Sequence, residues 1–186
     1  RGLRALRAAG VAVETGLCAR EARALLAGYR LAHLAGRPRV TWKIATTADG
    51  ASADRRGRSR WITGPAARHE GHRMRAASDA VLIGAETARA DDPRLTARNG
   101  HVGLQPLRVV CDGALRLPLT LRLFSPALAR GTVVACARGA PATRRRSLEA
   151  RGVRVWEIRA RGGHVAPAAL ARRLAAEGCH EVLLES

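Results

Sequence analysis

A single lysine stands out in this sequence, because every other member of its 33 lysine and arginine residues is an arginine. Lys43 lies in the segment RVTWKIAT (39–46), whose alternation predicts a strand with Thr41, Lys43 and Ala45 on one face. An ammonium donates at a single point, whereas a guanidinium presents a planar fork of donors. The lone lysine therefore indicates that position 43 requires a compact ammonium, unless its survival is chance, and the small Ala45 leaves room for a planar ring. A solvated lysine on an exposed sheet face is the alternative.

Two arginines and a histidine share a predicted helix over residues 65–76. Arg68 and Arg75 are seven residues apart and lie on one helical face, and His72 belongs to the same helix. Guanidinium groups bind phosphate through charge-assisted hydrogen bonds, so this face is a candidate phosphate site. A solvated basic face is the alternative in so arginine-rich a chain.

A strand that runs directly into a helix gives a second candidate for anion binding. Gly84-Ala85-Glu86-Thr87 follows the apolar run AVLI, and the free backbone amides of a helix N-terminus favour a phosphate. Neither a GxGxxG fingerprint nor a Walker A loop occurs in the sequence.

Metal chemistry is not favoured by the spacing of the ligand-type residues. His69 and His72 are three residues apart, whereas the zinc motif HExxH needs histidines four apart. Asp91 and Asp92 are consecutive and precede a proline, which is typical of a turn. The zinc-deaminase pattern is absent, and no CxxC pair occurs. The cysteines are interpreted as reduced thiols; they are Cys18, Cys111, Cys136 and Cys179.

The elements that must position these residues follow from hydrophobic periodicity and from Gly and Pro punctuation. Strands are predicted at 11–14, 39–46, 80–84, 107–111, 132–137, 153–158 and 181–185. Helices are predicted at 3–9, 19–35, 65–76, from 85, around 143–151 and at 167–177, with Thr63 as the cap of the third. Apolar strands that alternate with helices indicate an α/β domain with a largely parallel sheet. Ligand sites of such sheets lie at the carboxyl ends of the strands.

Composition bounds the class of protein. The chain has 186 residues, 47% of them hydrophobic but only 3% aromatic, and a net charge of +18. The arginines are scattered and stacking aromatics are scarce, so nucleic-acid binding is disfavoured, whereas an anionic small substrate would suit a basic cleft. No apolar stretch suits a membrane span and the N-terminus does not resemble a signal peptide. We expect a cytoplasmic protein without membrane partners.

An ordered series of short motifs resembles one known family. The series runs through residues 43–50, 59–63, 75–80, 84–87, 90–98 and 106–112; the ordered series is highly specific, whereas any one piece alone would not be. It is similar to the bifunctional riboflavin biosynthesis protein, which joins a diaminohydroxyphosphoribosylaminopyrimidine deaminase to a 5-amino-6-(5-phosphoribosylamino)uracil reductase. The resemblance implies a dihydrofolate-reductase-like fold with a mostly parallel sheet flanked by helices.

The resemblance also implies a division of the chain. Residues 1–36 resemble the tail of the deaminase half and a connector, and residues 37–186 resemble the reductase half. We expect the zinc of the deaminase half to be absent here, and the reductase to be truncated, because the family continues after Glu185 with a Gly-rich loop. A homodimer is a further expectation from the resemblance.

Carried over position by position, the resemblance implies two sets of contacts. The cofactor NADPH is expected at Ala45, Trp61, Thr87 and Asp91. The substrate is expected at Ser59, Arg75, Leu95, Arg98 and Glu185, and Lys43 matches a strand lysine close to the site. Gly113 falls where some relatives have a serine that contacts the cofactor.

The expected reaction is the NADPH-dependent reduction of the ribose of the phosphoribosylaminouracil to ribityl. Arg75 and Arg98, with Ser59, would hold the 5′-phosphate, and Glu185 would contact the substrate and assist ring opening by moving a proton. Lys43 would donate to the ribose oxygen or position the cofactor amide. The alternatives are a related reductase with another substrate, a basic nucleic-acid-binding module, and a fragment that is inactive alone.

Overall fold

The computed structural model of the protein describes residues 1–53, 62–98, 103 and 105–186. Its six main strands are β1 (Arg39–Lys43), β2 (Ala80–Gly84), β3 (Leu107–Cys111), β4 (Thr132–Ala137), β5 (Arg154–Ile158) and β8 (Glu181–Glu185). They form one sheet in the order β1-β8-β2-β3-β4-β5, with all neighbours parallel. The short strands β6 (Ala160–Arg161) and β7 (His164–Val165) form a separate antiparallel hairpin. The last strand in sequence therefore lies between the first and the second.

Helices flank this sheet on both faces. They are α1 (Gly2–Ala8), α2 (Ala19–Leu25), α3 (Ala27–Ala35), α4 (Pro65–Ala76), α5 (Ala85–Asp91), α6 (Ala142–Glu149) and α7 (Pro167–Ala176). Short 3-10 turns occur at Arg122–Phe124 and Ala129–Gly131. Among the described residues, no helix has the length and apolar character needed to cross a bilayer.

The two faces of the sheet carry separate hydrophobic clusters. Ile83, Val110 and Leu183 belong to the cluster that includes Leu148 of α6 and against which Met74 of α4 packs. The second cluster, on the opposite face, joins alternate strand residues such as Val109, Val133 and Val182 to Leu170 and Leu174 of α7. The central strands are apolar on both faces because helices cover them on both sides. Packing of α4 on the first cluster brings its polar residues to one edge of the sheet.

A glycine lets α3 approach the start of β8. A Cβ atom added to Gly28 would lie 2.6 Å from the carbonyl oxygen of His180 and would also overlap the Glu181 side chain. Tyr29 and His33 of the same helix pack near His180, with ring centroids 5.6 Å from that of His180. The helix is thus held at the amino end of the sheet, opposite to the ends at which the candidate site residues lie.

The elements with strong apolar patterns occur where the sequence predicts them. The predicted bounds of the strands at 80–84, 107–111, 132–137 and 181–185 agree with β2, β3, β4 and β8, and the helix at 65–76 agrees with α4. The sheet is largely parallel, as predicted, because strands that are consecutive in the chain and paired in the sheet are joined by crossovers rather than hairpins.

Four local predictions were wrong. Residues 11–14 form no strand, because among the described residues no neighbouring strand pairs with them. The helix predicted at 19–35 is interrupted at Leu26, and its second part turns to bring Gly28 against β8. Strand β1 ends at Lys43, where its partner strand ends at Glu185. Thr63 does not cap α4: Gly64 holds that position, and the Thr63 carbonyl accepts a hydrogen bond from Arg68 Nη1 at 2.6 Å.

Candidate active site

Three neighbouring strands end together at the carboxyl edge of the sheet. Lys43 ends β1, Glu185 ends β8 and Gly84 ends β2, and β8 lies between the other two. Lys43 and Glu185 are partners in the parallel register, so their side chains project from the same face. That face also carries the cluster against which α4 packs. A cation and an anion from strands far apart in sequence are thus placed side by side.

Glu185 is held by a two-point ion pair with Arg75 of α4. Arg75 Nε donates to Glu185 Oε1 at 2.7 Å, and Arg75 Nη2 donates to Oε2 at 2.7 Å. The side chains are 16% and 9% exposed, so most of the pair is removed from water. A paired guanidinium and carboxylate fix each other's orientation as well as compensating charge. The pair leaves each carboxylate oxygen with a second lone pair for a ligand.

The segment 92–98, here called the site loop, is fixed to the rest of the domain at several points. The Thr96 carbonyl lies 3.1 Å from His72 Nδ1 and accepts a weaker contact from Arg75 Nη1 at 3.4 Å. The Ala97 amide donates to Gln105 Oε1 at 2.9 Å. The Arg122 amide donates to Asp92 Oδ1 at 2.8 Å. These contacts place the loop against α4 and beside Glu185.

The site loop has an unusual backbone that requires this support. Leu95 has a φ of 51° and Asp92 a φ of 40°, both in the left-handed region that branched and bulky side chains rarely adopt. Leu95 is nevertheless only 1% exposed, because its side chain belongs to the hydrophobic cluster under α4. Burial of Leu95 therefore pins the strained backbone, and the loop's polar residues are turned to the carboxyl edge.

Positive charge accumulates at the end of the site loop. Partial burial lowers the pKa of the Arg98 guanidinium, and the nearby charges of Arg75 and Arg94 lower it further. No carboxylate of the described residues forms an ion pair with Arg94 or Arg98. Lys43 likewise has no hydrogen bond or ion pair with a described residue. The edge thus offers cations to a ligand, while Arg75 is engaged with Glu185.

The remaining predicted residues divide into described and undescribed positions. Ala45, Thr87 and Asp91 are half-buried; Ala45 follows β1, and Thr87 and Asp91 lie on α5. Ser59 and Trp61 lie outside the described residues. Arg68 Nη1 donates to the Thr63 carbonyl, just before its own helix, at 2.6 Å, and the joint binding of a phosphate by Arg68 and Arg75 stays a prediction.

Two residues of this site were not among the predicted site residues. His72 was noticed only as a member of the arginine-bearing helix, yet it contacts the site loop. Its position three residues before Arg75 places both on one helical face, which is the signal that could have found it. Thr96 carries the one buried side-chain oxygen that lacks a partner in the described part of the chain. No pattern in the sequence marks that hydroxyl.

Within the described ranges, no three His, Cys, Asp or Glu side chains gather as a metal ion would need. Gly113, at the end of β3, is tightly packed: a Cβ atom there would lie 3.1 Å from the Gly163 carbonyl oxygen in the β6–β7 turn. A serine at this position would require that turn to shift.

The sequence and the strand order together match one family of known proteins. The sequence profile of the family described as "RibD C-terminal domain" matches residues 38–186. The chain belongs to this family. As a member of the RibD C-terminal domain family, it shows the predicted dihydrofolate-reductase-like α/β fold, and its match covers β1 to β8. The domain boundary predicted after residue 36 stays a prediction.

The relatives of this RibD C-terminal domain share both sequence and fold. The riboflavin biosynthesis protein RibD of Chlamydia trachomatis is 40% identical over 189 residues, covering 100% of this chain and 49% of the relative. The structure of Acinetobacter baumannii RibD superposes with a TM-score of 0.85 at 34% identity, covering 99% of this chain and 49% of that one. A Thermotoga maritima structure, named as a diaminohydroxyphosphoribosylaminopyrimidine deaminase/5-amino-6-(5-phosphoribosylamino)uracil reductase, has a TM-score of 0.79 at 29% identity, covering 100% and 49%. The chain spans about half the length of the curated relatives it matches.

Proposed function

We propose that this chain reduces the ribose of 5-amino-6-(5-phosphoribosylamino)uracil to ribityl with NADPH, as a step of riboflavin biosynthesis. The observation that carries the proposal is the arrangement at the carboxyl edge. A carboxylate fixed by Arg75 stands beside Lys43, and Arg98 lies close by on the site loop; neither cation has an ion-pair partner among the described residues. Membership of the RibD C-terminal domain family and the activity in the name of the Thermotoga maritima protein support the choice of substrate.

The positions proposed for the cofactor leave space for a planar ring. A Cβ atom added to Gly84 would meet nothing within 4 Å, so the end of β2 is open. Ala45 presents a small side chain beyond β1, and Thr87 and Asp91 follow on α5. We assign Ala45, Thr87 and Asp91 to cofactor binding, together with Trp61. NADPH, when bound, supplies the hydride for reduction of the sugar C1′ carbon.

Glu185 and Lys43 are assigned different tasks within this site. Because both oxygens of Glu185 accept hydrogen bonds from Arg75, the carboxylate is fixed as an acceptor, and we assign it to orienting the ribose hydroxyls. Lys43 has donors to spare, so we assign it to the ribose ring oxygen, where it would donate a hydrogen bond or a proton as the ring opens. This choice replaces the expectation that Glu185 itself moves the proton.

The 5′-phosphate of the substrate is assigned to Arg98, with the backbone of Leu95 and the residue Ser59 as further contacts. Arg98 and Arg94 have no counter-ion among the described residues, and mutual repulsion between arginines is relieved when a dianion binds. Arg75 contributes mainly through Glu185. If the protein used NADPH but did not recognise the phosphate, it would instead be the alternative, a related reductase with another substrate.

The proposal is tested by NADPH oxidation on the complete protein with the deaminated phosphoribosylaminopyrimidine. We expect turnover that needs both the phosphate and the ribose of the substrate, and NADPH consumption that matches formation of the ribityl product. The dephosphorylated analogue should show a raised KM and a similar kcat. Absence of turnover in an intact, folded protein, or equal use of the two compounds, would contradict the assignment. The molecular mass of the same preparation in solution tests the predicted homodimer.

A further inference from the structure

We infer that His72 is a positioning residue, which holds the site loop against α4 through the Thr96 carbonyl and so sets the place of Arg98. The inference rests on the proposed function, which assigns Arg98 to the substrate. The direction of the hydrogen bond between His72 and Thr96 follows from the chemistry of its two atoms. His72 Nδ1 lies 3.1 Å from the Thr96 carbonyl oxygen, which can only accept. Nδ1 must therefore carry the proton.

The Thr96 carbonyl joins three parts of the site. It accepts from His72 and, at 3.4 Å, from Nη1 of the same Arg75 that grips Glu185. His72 thus bonds directly to the site loop and lies one helical turn before Arg75, which holds Glu185. Loss of the imidazole would leave the carbonyl with only the longer Arg75 contact. Leu95, immediately before Thr96, has a strained left-handed backbone, and this strain would favour a shift of the loop if that contact were lost.

The charged groups around His72 favour the neutral imidazole. Arg75 faces it from the same helix, Arg98 from the site loop and Glu185 from β8. Burial lowers the pKa of His72 most, the two arginines lower it further, and Glu185 together with the Thr96 carbonyl opposes them. A neutral imidazole keeps its hydrogen bond to the loop without adding a third positive charge beside Arg75 and Arg98. This is the role that a lysine or arginine at this position could not perform.

The experiment compares three variants in the complete protein. His72→Leu removes the donor, whereas His72→Asn keeps one, because the asparagine amide nitrogen is bonded to Cγ as Nδ1 is. His33→Leu is the matched control: His33 Nδ1 also contacts a backbone carbonyl, that of Tyr29 at 2.9 Å, but on α3 at the opposite end of the sheet. We expect His72→Leu to raise the substrate KM about three- to tenfold, as for one lost hydrogen bond, with kcat and the KM for NADPH within about twofold of wild type. His72→Asn should recover most of this loss.

A second measurement does not depend on turnover. Hydrogen exchange of the peptide that contains Leu95–Arg98 should accelerate about tenfold in His72→Leu, because the site loop opens more often, and should stay near wild type in His72→Asn and His33→Leu. Lowering the pH should likewise reduce the stability of the wild type. Folding lowers the pKa of His72 below its ordinary value of 6.5, so the unfolded chain takes up the proton first as the pH falls. The wild type should therefore lose more stability than His72→Asn as the pH is lowered from about 7.5 through about 6.5.

The outcomes separate this inference from the proposed function. A folded wild type that does not turn over the substrate contradicts the proposed function, while the exchange data still decide the role of His72. Unchanged exchange in His72→Leu, or an asparagine variant as impaired as the leucine variant, overturns the inference even if the reductase is active. An equal effect of His33→Leu would also overturn it, since the change would then reflect general loss of stability.

Discussion

Two arginines with largely buried side chains stand at opposite ends of the same sheet. Arg75, at the carboxyl edge, is paired with the carboxylate of Glu185. Arg108, at the amino end of β3, is 5% exposed and donates instead to neutral oxygens: the Leu128 carbonyl at 2.7 Å and the Thr132 hydroxyl at 3.2 Å. No carboxylate of the described residues pairs with Arg108. Arg75 orients a carboxylate at the proposed substrate site, and Arg108 closes a turn.

The difference shows how one residue type serves function or stability according to its surroundings. At the amino end, Arg108 packs directly over Gly131, where any Cβ atom would overlap the guanidinium. Its hydrogen-bond partners, a backbone carbonyl and a threonine hydroxyl, belong to the fold. At the carboxyl edge, Lys43 and Arg98 stay without partners among the described residues. The cations assigned to the ligand thus lie at the carboxyl edge, whereas Arg108 is engaged by the fold, and four substitutions test this contrast.

The largest effect is expected at Lys43. Lys43→Arg keeps the charge but replaces a single-point donor by a planar fork, and we expect turnover to fall about a hundred- to a thousandfold with little change in melting temperature. Steady-state NADPH oxidation measures the loss. Arg39→Met is the control, because it removes a cation from the same strand face at the opposite end of β1. Wild-type rates in Lys43→Arg would remove Lys43 from the reaction.

The next effect is expected at Glu185. Glu185→Gln leaves the mostly buried Arg75 without a counter-ion, which should lower the free energy of unfolding by about 3 kcal/mol and weaken substrate binding as well. Urea unfolding gives the first quantity. Glu181→Gln is the matched control on the same strand: its ion pair with Arg39 is more exposed, and we expect less than about 1 kcal/mol. Equal losses in the two variants would show that the Arg75–Glu185 pair is not special.

A stability effect without a catalytic one is expected at the amino end. Arg108→Met should cost about 2 kcal/mol of unfolding free energy, because the Leu128 carbonyl and the Thr132 hydroxyl lose a buried donor. The kcat and KM at low temperature should stay near wild type. Arg154→Met, which breaks an exposed pair with Glu177, is the control. A large rise in substrate KM in Arg108→Met would contradict the assignment of stability to the amino end and function to the carboxyl edge.

The smallest effect is expected at Arg98. Arg98→Ala should raise the substrate KM about tenfold, corresponding to about 1.4 kcal/mol, and leave the KM for NADPH unchanged, because only the phosphate contact is lost. The exposed Arg116, which belongs to the β3–β4 connection, serves as the control in Arg116→Ala. A matching rise in both KM values for Arg98→Ala would argue against phosphate recognition.

Much of the fold was open to prediction from the sequence, but the site was only partly so. The apolar runs at β2, β3 and β4 are buried on both faces, so their bounds agree with the pattern. Segments without such a pattern failed: residues 11–14 lack a partner strand in the described part of the chain, and the hairpin of β6 and β7 was not predicted because its strands have only two residues each. The motifs placed Lys43, Arg75 and Glu185 near one site through resemblance, without indicating that two of them pair.

What the sequence determined by itself is local. Periodicity specified the strands and α4, the sole lysine marked position 43, and helical spacing put His72 and Arg75 on one face. What only the tertiary structure decided is which charges meet. Arg75 and Glu185 are 110 residues apart, and they pair because β8 inserts between β1 and β2 while Leu95 and α4 pack on the same cluster. Hydrophobic packing and strand order choose those neighbours, and neither is encoded in the spacing of the charged residues themselves.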